Sequence, residues 1–577
     1  MTAATDHYDA IVIGSGFGGG VAAARLAEAG QRVLVLERGK AYGPGDFPRS
    51  PAACRENFWD PAAGLHGLFD VWSFRGIDAI VGSGLGGTSL INANVLLRKD
   101  ERWFVNEPGE TWPVTRADLD PHYDRVERRL GATPYPVEHE PYASTPKTVA
   151  FRAAARRAGH EPFGPPLAVT FARAEGEAPV TGEPLREEPG LHGRTRQTCR
   201  LCAECTIGCN FGAKNTLDHT YLTDAWRAGA ELRTRCEARA IAPRAGGGYE
   251  VGWVVHEAAR EGQETATDRL PLHRASAERV IVAAGALATT QLLLRNRASL
   301  PALSPALGTR FSGNGDLLTF ALRCRERTEE GWVPRRLDPF VGTTITSAIR
   351  GADAVEGGDG RGYYLEDAGI PVIVGWLLGL LETPRAMRRA RPLVGGLIAK
   401  RRGRRREPEI SAQISALFGD GAYSGGMLPL LGMGRDVPDG TARLVDGALD
   451  VDWRKDGASR AFFERLRGVA RELAVALGGG YADNPTWYLN RLITVHPVGG
   501  APMGATPEQG VVDPFGEVFG HPGLYVLDGA AMPGPVGPNP ALTIAAFADR
   551  GADALLEGAR ARGARPTERA ASSAARP

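Results

Sequence analysis

Residues 8–37 read YDAIVIGSGFGGGVAAARLAEAGQRVLVLE. The apolar run 8–13 predicts a strand buried on both faces, as in a parallel sheet. Gly14, Gly16 and Gly19 then form G-x-G-x-x-G, with Phe17 and Gly18 inside the same turn. An alanine-rich helix is predicted at 21–29 and a second strand at 32–36, ending on Glu37. The first glycine permits the tight turn, the second lets a pyrophosphate approach the backbone, and the third allows close helix–strand packing. The N–H groups that open the helix point at the phosphates. Glu37 is placed to accept from a ribose 2′-OH, which suits that group better than a 2′-phosphate. A chain with 75 glycines produces such triplets by chance, so the flanking strand, helix and terminal acid carry the reading. The class that follows is α/β, with a Rossmann-like dinucleotide-binding domain.

Further pieces of that domain are scattered along the chain. A second glycine-rich loop spans 81–95 (VGSGLGGTSLINANV), and a strand at 279–283 closes on Ala284-Gly285-Ala286 before a helix at 289–295. Near the end lie a strand within 523–529 and a long helical stretch at 540–557. The stretches between are richer in proline and charge. The plan expected is a discontinuous nucleotide-binding domain (1–112, 198–309 and 487–558) with two inserted stretches, 113–197 and 310–486, that build an α+β substrate domain. The tail 559–577 is low in complexity and expected to be disordered.

Composition narrows the classes. With 577 residues the chain holds several domains' worth of core. A net charge of +1 argues against a dedicated nucleic-acid binder, which carries a basic excess. No window reaches the roughly 20 apolar residues of a membrane span. The N-terminus lacks the basic-then-apolar pattern of an export signal, so a cytoplasmic location is expected. The run 373–381 (IVGWLLGLL) is apolar, and residues 385–406 hold ten Arg or Lys and no acid. A core helix beside a solvated basic loop is the first reading; peripheral contact with anionic lipid is the second.

Four blocks carry a family resemblance: GSGLGGTSLINAN at 82–94, AAGALATTQLLL at 283–294, GNG at 313–315, and LYVLDGAAMPGPVGPNPALTIAAFADR at 524–550. Together with the N-terminal loop they resemble the glucose–methanol–choline (GMC) flavoprotein oxidoreductases, nearest the cholesterol oxidase-like branch. The resemblance implies non-covalent FAD. It also implies that Gly82, Gly87, Thr88, Asn92, Asn94 and Gly285 border the cofactor, and that Asp528 and Gly529 meet its ribityl–phosphate portion. By the same resemblance, the helix start at Asn539-Pro540 faces the N1/O2 edge of the flavin. Read locally, Asn539 is the cap of that helix and Pro540 its first residue.

Oxidising an alcohol requires a partner for the hydroxyl proton and an acceptor for the hydride. Histidine suits the first task, and flavin N5 would be the acceptor. Asn can donate and accept, and so can orient the hydroxyl. The resemblance places His496 (VHPVGG) and Asn539 (VGPNPALTI) in these roles. A glutamate that shifts a steroid double bond in cholesterol oxidases matches 410–415 (ISAQIS), where Gln413 stands instead; that match predicts oxidation without isomerisation.

Seven cysteines are present, four of them within TCRLCAECTIGC. Cys199, Cys202, Cys205 and Cys209 have the spacing C-x2-C-x2-C-x3-C of bacterial ferredoxins, with Asn210 in place of the proline. An iron–sulfur centre, a four-thiolate zinc ion and a loop of structural thiols are the three readings. A compact cysteine cluster in the corresponding part of some glucose dehydrogenases of the family favours iron–sulfur.

The function expected is FAD-dependent oxidation of a CH–OH group, on a small lipophilic alcohol such as a sterol or long-chain alcohol, by a dehydrogenase with an external electron acceptor. The alternatives are an oxygen-using cholesterol oxidase-type enzyme, a polyol or sugar dehydrogenase and, outside enzymes, a lipid-binding flavoprotein.

Overall fold

The computed structural model describes residues 6–107, 109–372 and 425–563. Gln413, the run 373–381 and the basic stretch 385–406 lie outside the described residues.

The first sheet has the strand order Cys236–Pro243, Tyr249–Val255, His273–Val282, His7–Ile13, Val33–Leu36, Glu231–Arg233. Leu524–Val526 also pairs, in parallel, with the end of His273–Val282. Five strands pair in parallel, and the middle ones are apolar on both faces because helices cover them: Val33–Leu36 is buried at every position. Phe17–Glu28 packs against both Tyr221–Arg227 and Ala541–Gly563. That final helix continues past residue 558, so the first residues of the expected tail are helical; 564–577 lie outside the described residues.

A second, antiparallel sheet runs Ala348–Gly351, Tyr363–Asp367, Leu428–Gly434, Leu317–Leu322, Gly480–Asp483. Leu317–Leu322 alternates buried and half-buried positions, the period-two pattern of a sheet covered unevenly. The helix Arg460–Ala476 packs on this sheet and buries Phe462, Phe463, Leu466, Ala470, Leu473 and Ala474, one apolar stripe at helical spacing. The stretch 113–197 divides between the two layers: Arg116–Leu130 packs on Ala541–Gly563, whereas Pro146–Arg157 packs on Arg460–Ala476.

A three-stranded sheet, Leu492–Thr494, Ile77–Gly82, Phe69–Ser73, brings two loops together. Leu492–Thr494 runs parallel to Ile77–Gly82. His496 and the glycine loop that begins at Gly82 therefore leave the sheet in the same direction.

Candidate active site

A cavity of about 650 Å³ opens where strands of the first sheet end: after Ile13, after Leu36, after Val282 and after Val526. Ligands of open α/β sheets bind outside the carboxyl ends of the strands. Gly14, Gly16, Phe17, Gly18 and Glu37 line one end, and Gly82, Gly87, Thr88, Asn92 and Asn94 form a wall beside them. Gly285, Asp528, Gly529, His496, Asn539 and Pro540 also face it. Of the residues singled out for cofactor and catalysis, Gly19 alone stands behind the wall, where a Cβ would lie 2.0 Å from Gly14 O.

The cradle fits a dinucleotide. A Cβ on Gly14 (φ +93°) would lie 2.4 Å from Ala283 O, and one on Gly18 would lie 1.7 Å from Leu527 O, so both positions require glycine for packing. A Cβ on Gly16 would meet nothing within 4 Å; this is the open space a pyrophosphate would enter. Both amide atoms of buried Asn94 lack a hydrogen-bond partner, as do groups that await a ligand.

Two acids expected to touch the cofactor are already engaged by the protein. Glu37 accepts from Ser15 Oγ (2.6 Å), Ser15 N (3.1 Å) and Gly39 N (2.8 Å). Asp528 accepts from Gly285 N (2.7 Å), Thr289 Oγ1 (2.6 Å) and Ala530 N (2.9 Å), which ties the 285–289 turn to the segment that carries Asp528. Burial outweighs these bonds and raises the Asp528 carboxyl to about 6.

The block 313–316 (GNGD) organises the other end. Asp316 is 1% exposed; its Oδ1 lies 2.7 Å from His496 Nδ1. Its Oδ2 accepts from Val495 N (2.7 Å), His496 N (3.1 Å) and Thr494 Oγ1 (2.9 Å). Two residues earlier, Asn314 donates to Pro538 O (3.0 Å) and accepts from Gly537 N (3.0 Å), which holds the turn that carries Asn539. The sequence reading used this block only as a family marker and missed both roles.

Asn539 does not cap its helix: its Oδ1 has no hydrogen-bond partner. The local cap preference yields because the preceding turn is clamped by Asn314. Behind Asn539 lies Glu366, fully buried on Tyr363–Asp367, with neither carboxyl oxygen in a well-formed hydrogen bond. Burial raises it to about 8; the nearby Asn539 amide offsets this in part, and the charges of Asp367 and Asp316 add to it. No local signal marked this glutamate, which is one of many acids in the chain.

No disulfide joins the four cysteines of the cluster, and Thr206 between them lines the cavity. Burial and then the neighbouring Cys205 push the Cys199 thiol well up, and the same two causes push Cys202 to about 12. The thiols therefore feel one another, yet among the described residues no three of their sulfurs lie within 4.8 Å. A tetrahedral zinc with Zn–S of about 2.3 Å needs its sulfurs less than about 4 Å apart. The four thiols are thus gathered on one loop but not drawn to zinc-ligand spacing. Lys214 Nζ joins this loop to the cofactor wall, donating to Cys205 O (3.0 Å), Leu90 O (3.1 Å) and Asn92 O (2.9 Å).

Strand ends, glycine cradle and a histidine facing the same cavity define a dinucleotide-dependent oxidoreductase. Comparison with known proteins agrees. The family model described as GMC oxidoreductase matches residues 187–311 and 445–548, and an FAD binding domain matches 9–44. A cholesterol oxidase of Mycobacterium tuberculosis is 30% identical, covering 94% of this chain and 90% of its own. One of Acinetobacter baumannii is 28% identical, covering 95% and 94%. A long-chain-alcohol oxidase of Arabidopsis thaliana is 24% identical, covering 93% of this chain and 65% of its own. The crystal structure of pyridoxine 4-oxidase from Mesorbium loti superimposes with a TM-score of 0.55 at 17% identity, over 95% of this chain and 99% of that one, a likeness of fold. The chain belongs to the GMC oxidoreductase family and is an FAD-dependent oxidoreductase of alcohols. Membership of an enzyme family sets aside the lipid-binding alternative. No helix among the described residues is long and apolar enough to cross a membrane.

Proposed function

We propose that the chain oxidises a lipophilic alcohol, a sterol or long-chain alcohol, to its carbonyl and passes the electrons to a carrier. One observation carries this: His496 and Asn539 face the cavity whose remaining wall includes Leu318, Phe320, Ile370, Pro429 and Leu431. An apolar wall desolvates a hydrocarbon skeleton and leaves its hydroxyl to the two polar side chains. Asn539 orients the hydroxyl, and His496 Nε2 takes its proton while Asp316 holds the ring through Nδ1. FAD held by the cradle of Gly14, Gly16 and Gly18 would supply the acceptor for the hydride of the carbon that bears the hydroxyl. Glu366 acts on Asn539 rather than on substrate, since it lies behind the wall.

The carrier half of the proposal rests on the cysteine loop. Cys199, Cys202, Cys205 and Cys209 would hold an iron–sulfur centre, which supplies one-electron transfer. Ferredoxin spacing supports it, as do four thiols gathered closely enough that Cys205 makes the Cys199 thiol harder to ionise. Thr206 at the cavity wall puts that loop beside the cofactor space. A second reading, oxygen as acceptor, is favoured by relatives that are themselves named oxidases.

The test is anaerobic mixing of the flavin-loaded protein with cholesterol, a long-chain primary alcohol and glucose, followed by flavin absorbance. Bleaching by either lipophilic alcohol, reversed faster by an artificial acceptor than by oxygen, is expected. Bleaching by glucose alone, or by none of the three, overturns the substrate class. Stoichiometric peroxide in air, with no iron or sulfide in the protein, would select the oxidase.

A further inference from the structure

The segment 216–222 (TLDHTYL) makes a tight turn before the helix Tyr221–Arg227, with His219 N and Thr220 N both donating to Thr216 O (3.1 Å each). The turn places Asp218 and His219 side by side. His192 reaches the same point from a separate loop, anchored to that helix by Leu191 N donating to Thr223 Oγ1 (3.2 Å). His192 Nε2 lies 2.7 Å and His219 Nε2 3.8 Å from Asp218 Oδ2, and all three ligand atoms lie within 4.8 Å of one another.

We infer that His192, Asp218 and His219 form a binding site for a divalent transition cation of the zinc type, held by two imidazole nitrogens and one carboxylate. Two ligands at about 2.0–2.1 Å from a tetrahedral ion stand about 3.3–3.4 Å apart. The observed separations of 2.7 and 3.8 Å lie on either side of that value, so His192 would move out by about 0.6 Å and His219 in by about 0.4 Å to take up an ion. The side chains of His192 and His219 are 10% and 8% exposed, which leaves a path for the ion and for a water as fourth ligand.

Among the described residues Asp218 has no arginine or lysine partner. It is 1% exposed; its Oδ2 meets the two imidazoles, while its Oδ1, on the side of Gly86, has no hydrogen-bond partner. The nearby cations do not fill this role. Arg196 donates to Gly212 O, Lys214 O, Asn215 and Glu187, and Lys214 donates to three carbonyls. A cluster of similar size, His122 with Asp549 and Asp553, shows the contrast: Arg25 and Arg125 each pair with both of its carboxylates, so the place of a cation is taken. The two histidines and the aspartate have no such occupant.

A bound ion would staple the 190–193 loop to the turn beside Gly86, whose added Cβ would lie 3.3 Å from Asp218 Oδ1. It is separate from the cysteine loop and does not depend on the proposed substrate. The test uses the flavin-loaded full chain, stripped with chelator and titrated with Zn(II) and with Co(II) alone. The expected result is a cobalt spectrum of tetrahedral type without thiolate-to-cobalt charge transfer, competed away by zinc. Affinity should fall at least about 100-fold in His192→Gln and in His219→Gln, with flavin content unchanged. No cobalt spectrum, a spectrum dominated by thiolate charge transfer, or unchanged affinity in both variants would overturn the site and leave a plain histidine–aspartate pair. Should both variants lose flavin or fail to fold, the wild-type cobalt spectrum alone decides.

Discussion

Asp316 Oδ1 sits 2.7 Å from His496 Nδ1, across 180 residues of sequence, while its Oδ2 holds the backbone on which that histidine stands. One carboxylate thus sets both the ring's rotation and the position of its main chain, and it leaves Nε2 for the cavity. Asp316→Asn keeps the shape but removes the charge and offers the ring a different partner. Flavin reduction by substrate should slow about 100-fold, with FAD content and melting temperature close to wild type. Asp316→Glu should recover part of the rate and alter the pH profile, which a merely structural contact would not do. Equal rates for wild type and Asp316→Asn would remove Asp316 from the site.

Gly16 and Gly18 separate packing from binding within one loop. Gly18→Ala drives a Cβ into Leu527 O, at 1.7 Å, and should fold poorly or melt several degrees lower. Gly16→Ala meets open space and should fold normally, yet bind FAD at least about tenfold more weakly because the methyl occupies the pyrophosphate's approach. Thermal melts of the apo proteins and fluorescence titration with FAD measure the two effects. Normal FAD affinity in Gly16→Ala would contradict the placement of the pyrophosphate.

Glu366 makes stability depend on pH with a definite sign. Its folded value of about 8 lies above the ordinary 4.5, so the folded state binds this proton more tightly than the unfolded chain. The contribution is fully present below 4.5 and is lost as pH rises towards 8. Glu366→Gln removes that loss. Its melting temperature, compared with wild type, should gain about 2 °C or more between pH 5 and pH 8.5. A difference that stays flat across this range would show that Glu366 is charged in the fold at all these pH values.

Lys214 is a buried strut between the cysteine loop and the cofactor wall. Burial lowers its ammonium to about 8, with the Cys205 and Cys209 thiols acting in the opposite direction. Lys214→Met leaves three carbonyls without their donor, each loss of the order of 1 kcal/mol. The variant should melt about 3 °C or more below wild type and expose Cys205 and Cys209 to faster alkylation. Alkylation at the wild-type rate would show that the loop is held by other contacts.

Much of this was legible locally. The strand–glycine–helix–strand unit of 8–37 declared itself because its signals lie within one supersecondary unit, where hydrophobic period, φ requirement and packing all apply to neighbouring residues. His496 and Asn539 were singled out by the resemblance of their motifs to the family, since nothing in local period or propensity sets His496 apart from the other histidines. Local reading failed where a local preference competed with a distant clamp. Asn539 should cap its helix, but Asn314 holds the turn before it and leaves its Oδ1 without a partner.

Sequence alone thus determined the dinucleotide fold, the glycine cradle and the chemical types facing the cavity. Only the tertiary structure decided that Asp316 holds His496, that Glu366 stands behind Asn539, that Lys214 ties the cysteine loop to the cofactor wall, and that His192 meets Asp218 and His219. Each of these pairs a single polar residue with another from a separate element. No periodicity or turn signal records such a meeting; it is fixed by how the two sheets and their loops pack, and burial then gives each buried charge its consequence.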